Sequence, residues 1–381
     1  MFYARVGPLH HAHISSVSYP SLEVHALTHP VDGAGDTSPA ISPDGSRLVF
    51  TRRVGDPSRP RLSRAWVLSF GDEEPRRLTD QESNEWYPMF VGTGEVMVAK
   101  AVFARRNPHG GVYARVIRYG IDGTEIERGH HEWGVTSPGS AGGLVYASAV
   151  LSSGRTGPRS VQIRRWDSQL FDGEPNWECT TPTFQNEDGS RGWARTRVRQ
   201  DAHHYRVAPN GEYVAVLLGQ GYTYGEVEPS TLVLVPVSGP PPAGARRYRS
   251  ALCPELTSIA DSAVGPLQWS GDGSILTFMK EEDGRRTAWM WSASTGAEQL
   301  GEMTDDVVEV SPNHDGSRVV LVTEEESTPE AGDEPANPER RAHILDRAQG
   351  TSAAVPWDGY VSQVVWGPRS TGSEGALPEG A

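Results

Sequence analysis

Acidic residues recur at one point in the pattern of this chain. Asp36, Glu85, Glu132, Asp201 and Asp305 each stand at the start of a short apolar run that leads into a turn rich in Pro, Gly or Asn. Carboxylates gathered around one axis would make an electronegative mouth. Low-dielectric walls would focus that field on a cation or an amine-bearing ligand. The same residues can instead cap backbone turns by accepting N–H bonds. Two histidine pairs, His130-His131 and His203-His204, lie beside Glu132 and Asp201. Imidazole and carboxylate together suit Zn, Mn or Ni. Successive strand residues point to opposite faces, so one histidine of each pair, taken as His131 and His203, could face such an axis. No ligand spacing demands a metal. The reading is therefore no cofactor, with a divalent transition metal as the alternative and surface or turn histidines as the plain account. The tract His10, His11, His13 resembles a metal-binding run but is short enough to be a solvated loop.

Aromatic residues crowd the same positions: Trp86, Tyr87, Trp133, Tyr205, Tyr222, Tyr224 and Tyr360. They could line a pocket for a sugar or a peptide. Trp86 and Trp133 share a repeat position, which favours packing between neighbouring units. Tyr222 and Tyr224 sit in a Gly-flanked loop, which favours ligand contact. No Gly-x-Ser-x-Gly elbow and no Gly-rich phosphate loop is present. The two cysteines, Cys179 and Cys253, make no disulfide framework in 381 residues. Their scarcity reads as free thiols in a reducing compartment. Cys253 falls in an expected outer strand.

Composition narrows the partners. The formal charge is −14, which disfavours nucleic acid and anionic membranes and mildly favours cationic ligands. Lys100 and Lys280 are the only lysines, so the arginine pairs reflect residue usage rather than a phosphate site. No stretch approaches the ~20 apolar residues of a membrane span. The first 20 residues lack the charged and apolar regions of a signal peptide. The expected location is the cytoplasm, and the expected state a monomer.

What must position these residues is a repeat. With 42 Gly and 29 Pro, the chain suits short strands joined by tight turns. "DTSPAISPDGSRLVF" from Asp36 is echoed by runs starting at Glu85, Glu132, His203, Val264 and Asp305. In each, a Pro or small residue opens a turn and Asn, Asp or Gly supplies positive φ. Alternating apolar residues on either side bury one strand face. A third strand and a more polar fourth follow, at a spacing near 50 residues, which predicts four-stranded β-propeller blades. The last unit has a first strand only, at 361–366, while three strands without a first strand open the chain at 2–29. The two ends are expected to complete one blade and close the ring.

The fold expectation is thus all-β: a seven-bladed propeller of four-stranded antiparallel blades in a single domain over 1–369. The blades are 36–80, 85–130, 132–183, 201–253, 264–303, 305–358, and 361–366 joined to 2–29, with a disordered tail over 370–381. Long segments at 53–64, 103–111, 219–230 and 324–341 join second to third strands. They share a face with the blade-to-blade linkers, which makes that face the candidate binding surface. The segment 181–200 is expected to be an overlong linker.

Leu78-Thr79-Asp80 together with Ser42-Pro43-Asp44-Gly45 resembles the repeat of TolB-like propellers. The same repeat occurs in prolyl-oligopeptidase-type propellers and in oligogalacturonate lyases. The resemblance implies a scaffold and little about chemistry. The expected function is binding of a protein partner or a small polar or cationic ligand on the loop-rich face. The alternative is a metal-assisted lyase or hydrolase acting at the channel mouth on a carbohydrate- or peptide-like substrate. The ligand-facing residues would be Asp36, Glu85, Trp86, Glu132, Asp201, Tyr222, Tyr224 and Asp305.

Overall fold

The computed structural model describes residues 1–7, 11–54, 62–79, 84–102, 113–132, 144–151, 159–166, 175–181, 184–185, 191–192, 198–199, 201–219, 230–238, 252–253, 255–301, 305–324, 339–357 and 360–368. Every regular element among them is a β-strand. The chain divides into two compact units. One comprises Met1–Ala101, Val116–Arg128 and Met303–Ala381, the other Val102–Arg115 and Gly129–Glu302.

The chain opens with β1 (Phe2–Val6), β2 (His13–Val17) and β3 (Val24–Ala26). The next sheet is β4 (Ala34–Ile41), β5 (Arg47–Val54), β6 (Leu62–Ser69) and β7 (Arg76–Arg77). It is followed by β8 (Glu85–Phe90), β9 (Glu95–Val102), β10 (Tyr113–Gly120) and β11 (Glu125–Glu132). Two three-stranded sheets come next. They are β12 (Leu144–Leu151), β13 (Arg159–Trp166) and β14 (Trp177–Thr180), then β15 (Phe184–Gln185), β16 (Arg191–Gly192) and β17 (Val198–Arg199). A seven-stranded sheet holds β18 (Asp201–Val207), β19 (Tyr213–Gly219), β20 (Ser230–Pro236), β21 (Thr257–Trp269), β22 (Ile275–Glu282), β23 (Arg285–Ser292) and β24 (Gly296–Gln299). The last four-stranded sheet is β25 (Asp306–Pro312), β26 (Arg318–Glu324), β27 (Arg340–Asp346) and β28 (Thr351–Val355). The final strand, β29 (Val361–Trp366), returns to the start of the chain and gives the order β29-β1-β2-β3. Strands from both ends therefore share one antiparallel sheet, with Phe2 opposite Trp366 and Val6 opposite Val361.

In the first unit, alternation sends successive residues to different layers. Phe2 and Ala4 pack with Val320, Val322 and Ile344, while Tyr3 packs the other way with Leu48 and Phe50. Val49 and Val67 then meet Val96, Val98 and Ile117. The terminal sheet is thus buried on both faces, between the β25–β28 sheet and the β4–β7 sheet, and all of β1 is buried. In the second unit, Val161, Ile163 and Trp177 pack on Tyr205, Val207 and Val216. Leu217 and Leu234 pack on Leu276 and Phe278. β21 serves two neighbours in succession. It pairs with β20 as far as Ala263 and with β22 from Ala263 onward.

The repeated turn has one chemistry. Asp44 Oδ1 accepts from Ser42 Oγ at 2.6 Å, Ser46 N at 3.1 Å and Ser46 Oγ at 2.8 Å, and Gly45 takes φ 72°. Asp272 repeats the set with Ser270 and Ser274, and Asp315 bonds Ser317 in the same way. Such bonds favour the ionised acid, and the Asp44 pKa falls to about 2, first through the Ser42 hydroxyl.

Several expectations are corrected. The cysteines are not free thiols. Cys179 and Cys253 form a disulfide, 74 residues apart in sequence. Cys253 does not lie in the outer strand, which is the first half of β21. Cys253 N instead donates to Thr180 O at 3.0 Å, and Leu252 bridges Thr180 in parallel, which brings the sulfur to β14. Segment 181–200 is more than a linker, since it contains the β15–β17 sheet.

Candidate functional site

The acidic positions lie at or near the starts of strands, but two of the carboxylates are spent inside the fold. Asp36, on β4, is 0 % exposed. Its oxygens accept from Arg52 Nε at 2.7 Å and Nη2 at 2.9 Å across the β4–β5 ladder. The Arg52 guanidinium lies 4.6 Å from the Trp66 ring centroid, a cation–π contact that holds the fork in place. Glu85, first residue of β8, accepts from Ala65 N at 3.1 Å and from Thr79 Oγ1 at 2.8 Å. It thereby fastens its own sheet to the preceding one. Neither acid faces an open mouth, because both saturate buried donors. Asp305 is half-buried, directly before β25.

Glu132 departs from the expected register. It ends β11, the edge strand of its sheet, rather than opening an inner strand, and His130 and His131 precede it there. Asp201 opens β18 and His203 follows on the same strand, with a bulge between Ala202 and His204. The side chains of Trp86, His131, Glu132, Asp201 and His203 lie outside the described residues, as do Trp133, Tyr222 and Tyr224 entirely. Among the described residues, no three His, Cys, Asp or Glu side chains converge to hold a metal.

The aromatic positions divide. Tyr205 is buried in the second unit's core and packs rather than binds. Tyr87 is 59 % exposed at φ 48°, on the bulge of β8. Left-handed backbone at a bulky residue is uncommon and marks a position worth functional attention. Tyr360 precedes β29 with two guanidinium groups near its ring, Arg5 at 5.4 Å and Arg340 at 4.2 Å.

Sequence reasoning missed Glu309 and Gln363. The β29 bulge at Gln363, φ 55°, turns two N–H groups out of the ladder. Glu309 accepts both, from Gln363 N and Val364 N at 2.7 Å each. The Gln363 side chain then accepts from Ser38 N at 2.8 Å, at the next bulge, where Ser38 has φ 54°. β25, β29 and β4 are stitched together by this relay. The available signal was an acid inside the apolar run "VVEVSP", which must have a buried partner.

Titratable groups at these strand ends are shifted chiefly by burial. His13 is lowered by burial and by nearby His29, with Asp36 opposing. Arg5 is lowered by burial, opposed by Tyr360 and Glu309. Each carboxylate oxygen of Asp36 and Glu85 accepts from a structural donor.

No protein-family model and no curated protein matches the chain by sequence. Solved structures do match. A puromycin-hydrolyzing peptidase of Mycobacterium tuberculosis superposes with a TM-score of 0.58 at 12% identity, over 93% of this chain and 53% of that one. The β-propeller domain of the Trilobed protease of Pyrococcus furiosus, described as having an open velcro topology, gives 0.53 at 13% identity over 91% and 87%. A putative TolB of Agrobacterium tumefaciens gives 0.44 at 11% identity over 93% and 89%. The chain spans about half the length of the peptidase. The resemblance to peptidase-type propellers read from the repeat is met at the level of architecture: the chain has a β-propeller fold.

Proposed function

We propose that this chain is a seven-bladed propeller, its ring closed by the sheet of both termini, that serves as a binding scaffold. It takes a protein partner or a small polar ligand on the face formed by the second-to-third-strand loops. One observation carries the reading. Asp36, Glu85 and Glu309, which could have run acid–base chemistry, each accept from structural donors, while Tyr87 stands exposed at the bulge of β8. Buried acids fixed in this way give rigidity rather than catalysis, and an exposed aromatic on a rigid frame is a contact residue. The sequence assigns ligand contact to Tyr222 and Tyr224 as well, which lie outside the described residues.

The test is crosslinked capture of partners by the wild-type protein, by Tyr87→Ala and by a variant with residues 220–229 replaced by a Gly-Ser hairpin. The expected result is loss of the same bound species in both variants, with an unchanged Tm. Equal capture by all three proteins overturns the assignment of this face.

A further inference from the structure

Three sheets place a basic residue of the second strand opposite the start of the first. Arg52 faces Asp36, Lys100 faces Glu85, and Arg5 faces Ser362. The first case is a bidentate ion pair that uses Nε and Nη2 of the arginine. In the terminal sheet the acid position holds a serine. Arg5 is nonetheless 9 % exposed, and its Nε has no hydrogen-bond partner. The Ser362 hydroxyl, 6 % exposed, has none either.

Neighbouring acids do not fill this role. Glu309 acts on Arg5 through space, but its two oxygens accept from Gln363 N and Val364 N. Glu324 accepts from Arg340 Nε at 2.9 Å. Among the described residues, Arg5 forms no ion pair. Taking a guanidinium out of water without a counter-charge is costly, and natural folds keep such a group where something pairs it. Burial lowers its pKa, against the opposing effects of Tyr360, which also hydrogen-bonds the guanidinium, and of Glu309.

We propose that Arg5 and Ser362, with the Tyr360 ring as a wall, form a receptor for a carboxylate. The unfilled Nε is the donor that Arg52 uses on Asp36, so the incoming carboxylate takes the place of the acid this sheet lacks. The guanidinium fork matches the two carboxylate oxygens, and the Ser362 hydroxyl adds a third donor. Arg340, whose guanidinium lies 4.2 Å from the Tyr360 ring centroid, adds positive charge beside Arg5 in a chain of net charge −14. The carboxylate belongs either to a free small acid or to the C-terminus of a peptide. This deepens the scaffold reading and rests on it only for the role of that face.

The test compares thermal shifts at fixed ionic strength in sodium acetate, in acetamide with NaCl, and in N-acetyl-Gly-Ala as the free acid or the amide. The expected result is a saturable rise in Tm with acetate and with the free-acid peptide, and none with acetamide or the peptide amide. A tighter response to the peptide acid assigns a peptide C-terminus, and an equal response a free small acid. Ser362→Asp supplies the missing acid in place, so Tm rises and the acetate response disappears. Arg5→Met loses the response as well. An acetate effect no greater than that of NaCl, or one that survives in Ser362→Asp, overturns the site. If that happens while Tyr87→Ala still loses its partner, the scaffold reading stands without it.

Discussion

At the scale of single residues, the acids of the repeat act as fasteners. Asp36 is the clearest case, since its partner Arg52 is only 11% exposed and, among the described residues, pairs with no other acid. Asp36→Asn keeps the shape and removes the charge, which leaves a buried guanidinium uncompensated. The expected loss is about 3 kcal/mol, read as a lower midpoint in urea with an unchanged slope. A loss within error would mean that Arg52 finds water or another acid. His13 gives a pH test. Its folded pKa is depressed by burial, so the unfolded chain binds the proton more readily. Its contribution is complete above the unfolded value, about 6.5, and is lost as pH falls below it. Tm should decline from pH 7.5 to 5.5, and His13→Gln should flatten part of that decline; His343, shifted the same way, accounts for another part. An identical slope in His13→Gln rules out the assignment.

At the scale of elements, hairpins were legible and the contacts between sheets were not. A turn such as Ser42-Pro43-Asp44-Gly45 carries its own bonds and its own positive φ, so four adjacent residues suffice to read it. The pairing of the chain ends was legible because a lone first strand and three unmatched strands complete each other. The disulfide, the β15–β17 sheet and the Glu309–Gln363 relay were not legible, because each depends on which strands become spatial neighbours. Glu132 was misplaced for a related reason. "EWGVTSPG" imitates "EWYPMFVG", yet in the fold Glu132 completes an edge strand. One inter-sheet contact is testable by a single methyl group. Gly123 has φ 89°, and a Cβ there would run into the Leu78 carbonyl oxygen of the neighbouring sheet. Gly123→Ala combines left-handed strain with a backbone clash, so about 2 kcal/mol of destabilisation is expected in a denaturant melt. A neutral outcome would show that the two sheets separate without cost at this turn.

At the scale of the whole molecule, each compact unit has its own long-range fastening. The first unit holds the sheet in which β29 meets β1, and that sheet supplies apolar layers to both neighbours. The second holds the Cys179–Cys253 bridge within the apolar cluster that includes Val161, Trp177, Tyr205 and Val216. With both cysteines paired, the cysteine count no longer argues for a reducing compartment. Loop closure over 74 residues stabilises by about 4 kcal/mol in the chain-entropy account. Denatured, unreduced protein should therefore show no reactive thiol, and reduced protein two. Cys253→Ser should speed amide exchange in β12–β14 and β18–β20 and leave β1, β2 and β29 unchanged. Deleting residues 1–29 should do the reverse, because it strips the partner from β29 and bares the layers on either side of the terminal sheet. Uniform loss of protection in both variants would show that neither fastening acts locally within its own unit.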